Sequence, residues 1–238
     1  MALRSSTVEN YLKALYKAQA ALGVLGVLDG NDHDEGAHLV PMGRLANALG
    51  VVPGTATTMV KALSESGLVD YEPYAGVRLT SAGEKLAALV LRRHRLMELF
   101  LVQVLGMSWA EVHDEAERLE HAASDQLIDR IDAMLGHPST DPHGDPIPDS
   151  NGSMAIHHYQ TLLTCSLKVP VVLTRVTDQD AGFLRFLEGS DLKPGQALRV
   201  EARDQAADQV IVRGKDERRI TIGMRAAAKL QVGTDGHD

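Results

Sequence analysis

From Ser6 to Leu22 the apolar residues Val8, Leu12, Leu15, Tyr16 and Leu22 recur at helical spacing, with Ser6 or Thr7 placed to cap the helix. Glycines and a knot of acids over Gly23–Gly36 then predict an exposed loop. Met42–Leu49 reads as a short helix broken by Gly50. Pro53 opens the next helix at its first turn, and Gly67 ends it after Ser66 in the C′ position. Val69–Thr80 carries Tyr71, Tyr74, Val77 and Leu79 around Pro73 and Gly76, a short hairpin. Ser81 caps a long helix, Ala82–Leu105, stopped by Gly106, and Ser108 caps another, Trp109–Leu135, stopped by Gly136. The Pro-rich stretch His137–Gly152 predicts a loop or linker, and Ser153–Leu163 a short helix. From Val169 the period changes to two, predicting strands over Val169–Val176, Ala197–Glu201, Gln209–Arg213 and Arg219–Ile222, with a turn at Pro194-Gly195. The expected architecture is mainly α with a small β domain of barrel or sandwich type. Its expected divisions are 1–80, a winged helix-turn-helix; 81–152, a helical body with the Pro-rich linker; and 153–238, the β domain.

Composition narrows the class. The chain has 238 residues, of which 44% are hydrophobic and 24% charged, so one large or two ordinary domains fit. Its longest apolar run, Leu86–Leu91, is too short to cross a bilayer, and Met1–Glu9 lacks the apolar stretch of a secretory signal. One cysteine, Cys165, excludes an internal disulfide and any multi-cysteine metal site. A soluble, cytoplasmic protein without a membrane partner is expected. Charge is unevenly placed. Residues 1–100 hold ten basic and ten acidic groups, but four of the acids are Asp29, Asp32, Asp34 and Glu35 in one loop. Residues 101–160 hold only Arg118 and Arg130 against eleven acids, and 161–238 are nearly neutral. An acidic middle attracts cations, while the remainder of the first segment is basic. Ten histidines stand against three Phe and one Trp.

The stretch Arg44–Gly67, RLANALGVVPGTATTMVKALSESG, places two short helices about a tight glycine turn, with small residues Ala46 and Gly50 four apart. On the second helix Met59, Val60 and Leu63 turn inward, and the front end shows Gly54, Thr55, Thr57 and Thr58, then Lys61. Small hydroxylated side chains let a helix enter a major groove, and a lysine there meets phosphate. The hairpin with Tyr71, Tyr74 and Arg78 would act as a wing along the backbone or minor groove. Ala-x-x-x-Gly alone describes any helical hairpin; with the wing and the local positive balance it reads as a binding module for double-stranded DNA.

His113, Glu117, Glu120 and His121 stand at i, i+4, i+7 and i+8, one narrow stripe of a helix. His94 and Glu98 make a second i, i+4 pair on the preceding helix, which Gly106 folds back as a neighbour. Either pair alone would read as a solvated face. Six potential ligands on adjacent helices read instead as a site for one or two divalent cations, since carboxylates buried together need compensation. Carboxylate and imidazole without thiolate suit Mn²⁺, Fe²⁺ or Co²⁺, and affinity order leaves Zn²⁺ open.

The winged motif, then H-R-L-x-E from His94, then V-H-D-E-A-E-x-x-E-H from Val112, resembles the iron- and manganese-dependent repressors of the diphtheria toxin repressor family. The resemblance extends through the Pro-rich GHPSTDPHGDPIP to a tail similar to the family's SH3-like domain. It implies that His94, Glu98 and His113 serve one metal site and Glu117, Glu120 and His121 the core of another. Where iron-sensing members have cysteine, this chain has Glu117, as manganese regulators do, so the resemblance implies Mn²⁺. It also implies a ligand from the first helix, where this chain has Asn10, an amide that serves directly or through water. Iron-sensing members further borrow ligands from the SH3-like domain, near Asp178 or Asp180 here. The acidic loop Asp29–Glu35, with His33 and His38, is not a family feature and reads as an exposed insertion.

The expected function is metal-dependent transcriptional regulation: a homodimer presenting two recognition helices about 34 Å apart to operator DNA. Leu119, Leu127, Ile128, Ile131 and Leu135 offer apolar positions for core or dimer packing. Two other classes use the same residues, a carboxylate-bridged di-metal hydrolase or oxidase, and a metal-free DNA-binding regulator sensing an organic ligand.

Overall fold

The computed structural model describes residues 5–28, 39–154, 159–214 and 217–233, with the side chains of 24–28 left aside. The acidic loop with His33 and His38 lies outside the described residues. The chain forms two compact units, Met1–Arg93 with Pro148–Met154, and His94–Ile147 with Ala155–Asp238.

In the first unit α1 (Ser6–Leu28) precedes α2 (Met42–Ala48) and α3 (Pro53–Glu65), followed by the antiparallel hairpin β1 (Val69–Glu72) and β2 (Gly76–Leu79) and the start of α4 (Ser81–Gln103). The first helix continues past the expected end at Leu22, through Gly23. One interior glycine costs a helix only about 1 kcal/mol, so it does not stop one by itself. The glycine after α2 does stop it: Gly50 takes φ +64°, and Val51 N–H donates to Ala46 O at 3.0 Å, the Schellman closure. Gly67 closes α3 the same way, with Leu68 N–H on Leu63 O at 3.0 Å. Leu12, Leu15, Leu45, Ala56, Val60, Leu63, Val77 and Leu79 form the core. Apolar burial at these period-3.6 and period-2 positions seats α3 with its front end outward.

In the second unit the rest of α4 packs with α5 (Val112–Glu120) and α6 (Asp125–Met134) through Leu96, Leu99, Val112, Ala116, Ile128 and Ile131. The single helix expected over Trp109–Leu135 is therefore two helices. The cause is local: the Ser124 hydroxyl accepts from Leu127 N–H at 3.2 Å, an N-cap that starts α6 with Asp125 in its first turn. Ile128 and Ile131 are core residues, whereas Leu127 and Met134 stay exposed.

The β domain contains β3 (Gln160–Thr161), β4 (Pro170–Val176), α7 (Ala181–Gly189), β5 (Ala197–Asp204), β6 (Gln209–Gly214), β7 (Arg219–Gly223), α8 (Met224–Ala227) and β8 (Leu230–Gly233). The strands form one antiparallel sheet in the order β3-β8-β4-β5-β6-β7. Alternate residues Leu198, Val200, Val210, Val212, Ile220 and Ile222 face a core completed by Leu184 and Leu187 of α7. The four expected strands are present. Two helices and two strands, the edge strand β3 and β8 inside the sheet, were not anticipated, and the helix expected over Ser153–Leu163 is replaced, where described, by β3 and a turn. Gln160 and Thr161 gain backbone partners on β8 there. Cys165 is buried in this core, with Arg203 Nη2 donating to its carbonyl and lying 3.4 Å from its Sγ.

The Pro-rich stretch is a loop whose middle, from Asp141 to Pro148, is largely buried while its ends are exposed. Asp141 Oδ1 accepts from the backbone N–H groups of His143 and Asp145 at 2.8 and 2.9 Å, and Asp141, His143 and Asp145 are all buried. No helix among the described residues is long and apolar enough to cross a membrane.

Candidate metal centre

The helical stripe and its partner pair meet as the spacing expects. His94 (2% exposed) and Glu98 (1%) lie on the same face of α4 one turn apart. His94 Nε2 is 3.0 Å from Glu98 Oε1, and His113 Nδ1 on α5 is 2.9 Å from the same oxygen and 3.1 Å from His94 Nε2. The other face of the His94 ring holds Glu120: its Nδ1 is 2.5 Å from Glu120 Oε2, a fully buried carboxylate, and 3.7 Å from Glu117 Oε2. His121, just past the end of α5, keeps a near-helical backbone and brings Nε2 within 3.4 Å of Glu120 Oε1. All six helical candidates are thus joined in one chain of contacts centred on His94. His94, His113 and Glu117 form one group with ligand atoms mutually within 4.8 Å, and Glu117, Glu120 and His121 form another.

A third group was not recognised in the sequence: Glu98 with Asp141 and His143, all three buried, their ligand atoms also within 4.8 Å. Its electrostatics are unbalanced. Burial pushes the Asp141 carboxyl well above its ordinary range, and the neighbouring charges of Asp145 and Glu98 push the same way. Burial also opposes the charge on Glu98, but hydrogen bonds from His113 and His94 outweigh it and hold that carboxyl below the usual range. His143 Nε2 lies 2.9 Å from the Trp109 carbonyl, which accepts only, so Nε2 carries the hydrogen. Nδ1 is left as a bare acceptor, and neither it nor Asp141 Oδ2 has a hydrogen-bond partner. Two carboxylates and a lone pair converge here, with the Arg95 guanidinium 3.8 Å from Asp141 Oδ2 as a partial counter-charge, and the donor set fits a hard or borderline cation. The signal was present as Asp-Pro-His-Gly-Asp, but proline density made it read as a spacer.

The remaining candidates are placed as follows. Asn10 lies on α1, and its Oδ1 is buried without a partner. Asp180 caps α7, accepting from Phe183 N–H at 2.9 Å, and Asp178 pairs with Lys229. Neither aspartate belongs to the three groups above. On α3, Gly54, Thr55, Thr58 and Lys61 are exposed and Thr57 is half-buried. The Thr57 and Thr58 hydroxyls donate to the carbonyls of Pro53 and Gly54 at 2.9 and 3.0 Å, so outward they present methyl groups and lone pairs. Arg78 is held across the hairpin by Asp70 at 3.1 Å, leaving Tyr74 fully exposed at the tip of the wing.

Three family models match the chain. Residues 32–77 match the iron dependent repressor N-terminal DNA binding domain, 80–149 the iron dependent repressor metal binding and dimerisation domain, and 160–233 the FeoA domain. The chain is 28% identical over 238 residues to the iron-dependent repressor IdeR of Mycobacterium leprae, covering 94% of this chain and 96% of that one. Among solved structures, a manganese-dependent transcriptional repressor in complex with manganese is 37% identical, with a TM-score of 0.80 over 94% of this chain and 98% of that one. ScaR with bound Zn²⁺ is 30% identical, with a TM-score of 0.71 over 95% and 98%. The chain belongs to the iron-dependent repressor family, the metal-dependent transcriptional repressors of diphtheria toxin repressor type. That is a family of DNA-binding regulators, so the di-metal hydrolase reading falls away.

Proposed function

We propose that this repressor is a cytoplasmic manganese sensor that binds operator DNA as a homodimer when the cluster around His94 is loaded. The observation that carries the reading is the convergence of His94, Glu98, His113, Glu117, Glu120 and His121 into one cluster without sulfur, with His94, Glu98 and Glu120 buried and the other three half-buried. A divalent cation would supply the positive charge that lets these carboxylates stay ionised together out of water. His94 bridges the two halves of the cluster, and Glu117 is common to two groups of ligand atoms. Glu98, Asp141 and His143 are the further cation group. The relatives' names include both iron and manganese; the carboxylate at 117 favours Mn²⁺, with Fe²⁺, Co²⁺ and Zn²⁺ as competitors.

For DNA we propose that α3 enters the major groove through Gly54, Thr55, Thr57 and Thr58, with Lys61 on phosphate and the Arg78 hairpin as wing. The exposed Leu127 and Met134 of α6 support pairing of two chains. The proposed divisions remain 1–80 for DNA, 81–152 for metal and pairing, and 153–238 for the SH3-like domain.

The deciding experiment is a DNA-binding titration from chelated protein with each metal in turn, repeated as a metal titration with and without operator. Linkage is reciprocal, so operator must tighten metal binding by the factor that metal tightens operator binding, typically 5- to 150-fold, or about 1–3 kcal/mol. Equal metal affinity in both arms overturns the reading. Full DNA binding in chelator would instead favour a regulator of organic ligands.

Two substitutions sharpen it. Glu117→Cys is expected to shift preference from manganese toward softer ions in competition titrations, because thiolate favours them. Unchanged selectivity would remove Glu117 from the choice of metal. Lys61→Ala is expected to weaken binding equally across DNA sequences and lower the salt slope by about one unit. A loss confined to some sequences would mean that Lys61 reads bases.

A further inference from the structure

Asp141 and His143 lie on the Pro-rich loop, which has turn hydrogen bonds of its own, Asp141 N–H to Asp145 O and Ile147 N–H to Ser139 O, and is also held from outside. Three consecutive residues of it are gripped by the β domain. The His143 carbonyl accepts from Val176 N–H at 2.8 Å. Gly144 has φ +83° and lies so close to β4 that a Cβ there would be 1.9 Å from the Thr174 carbonyl oxygen. The Asp145 carboxylate takes the Arg175 guanidinium on one oxygen, Nε and Nη2 both at 2.5 Å, and Gln179 Nε2 on the other at 2.8 Å. Asp145 is buried, so it needs a charged partner, and Arg175 at 2.5 Å is the close one, with Arg95 Nη2 farther off at 3.9 Å. Arg175 follows an irregularity in the pairing of β4 with β8, between Leu173 and Arg175. A bulge of this kind re-aims a side chain.

We propose that Arg175 and Gln179 of the β domain, acting through Asp145, are positioning residues for the Glu98–Asp141–His143 cation group. The proposal rests on the reading of that group as a cation site. The β domain then sets the affinity of this site through the loop. It clamps the loop so that Asp141 Oδ2 and His143 Nδ1 face Glu98, while the Trp109 carbonyl holds the imidazole hydrogen on Nε2. Second-sphere partners of this kind change metal affinity about 10- to 100-fold when removed.

Trp109 is the only tryptophan and stacks on the His143 ring, with centroids 5.6 Å apart and planes at 24°. Its fluorescence therefore reports this group, and equilibrium dialysis against Mn²⁺ counts total cations per chain. With the full-length protein, the expected result is that Arg175→Met weakens the Trp109-detected Mn²⁺ phase about tenfold or more while the remaining phase keeps its wild-type affinity. Arg175→Lys should recover part of the loss, since an ammonium still meets Asp145. A general loss of structure would weaken both phases and would not be rescued. If Arg175→Met fails to fold by circular dichroism, Gln179→Leu carries the same expectation with a smaller amplitude, because it removes one hydrogen bond and strands no buried charge. Wild-type affinity in the Trp109 phase of either folded variant overturns the proposal and leaves the cation reading standing. His143→Ala separates the two: if it leaves the Trp109 phase and the cation count unchanged, the group takes no cation and both readings fall.

Discussion

His94→Ala is expected to erase the metal-dependent gain in DNA binding, leaving in manganese the weak binding otherwise seen in chelator. His94 is the one imidazole in contact with both buried carboxylates, Glu98 through Nε2 and Glu120 through Nδ1. Removing it opens a gap between two halves of the cluster, and the carboxylates on either side lose their shared partner. The whole linkage, 5- to 150-fold in operator affinity, depends on that bridge. Fluorescence anisotropy of labelled operator with manganese and with chelator measures it, with circular dichroism to show that the fold survives. A variant that still tightens severalfold on adding manganese would show that the switch lies elsewhere.

Asp141→Asn is expected to have opposite effects on loaded and unloaded protein. Asparagine keeps the Oδ1 acceptor used by His143 and Asp145 N–H but cannot ionise. The Asp141 carboxyl in the folded chain has its pKa raised above that of an unfolded aspartate, near 4. Below pH about 4 both states hold the proton and Asp141 imposes no penalty. As pH rises above that, the unfolded chain releases its proton first, so the folded state loses stability toward neutrality. The variant lacks this loss. In chelator at neutral pH it should melt higher than wild type, by about 2–4 °C for each kcal/mol recovered, and the difference should vanish near pH 4. In saturating manganese the order should reverse, because wild type gains binding energy at this group that the variant forgoes. Thermal melts at two pH values, with and without metal, test both halves. A lower midpoint in chelator would mean that the carboxylate stabilises the metal-free fold.

Elements that rest on local rules were legible in the sequence. Gly50 and Gly67 close helices with positive φ, and Val210, Val212, Ile220 and Ile222 alternate as a half-buried sheet requires. The cluster of six helical candidates was legible because helical period puts them on facing stripes. The break at Ser124 was not, since Ala122 and Ala123 favour helix and the capping serine is a one-residue signal that propensity overrode. Strand β3 was missed for another reason: two residues carry no periodicity, and their order comes from β8 seventy positions later. Asp141 and His143 belong to the same kind. Their roles depend on Glu98, Trp109 and Arg175, none of them neighbours in the chain. Composition marked the stretch as proline-rich and could not show that it is buried.

The chain's one cysteine gives this repressor a chemical temperament. Burial raises the Cys165 thiol above its usual range despite the guanidinium of Arg203 alongside, so the reactive thiolate is scarce. A disulfide reagent would have to open the β domain before reaching the Cys165 sulfur. The cluster around His94 is built from nitrogen and oxygen alone. Thiol-directed chemistry therefore finds no ready handle in the folded molecule, and the sulfur open to oxidants is the thioether of exposed methionines such as Met134.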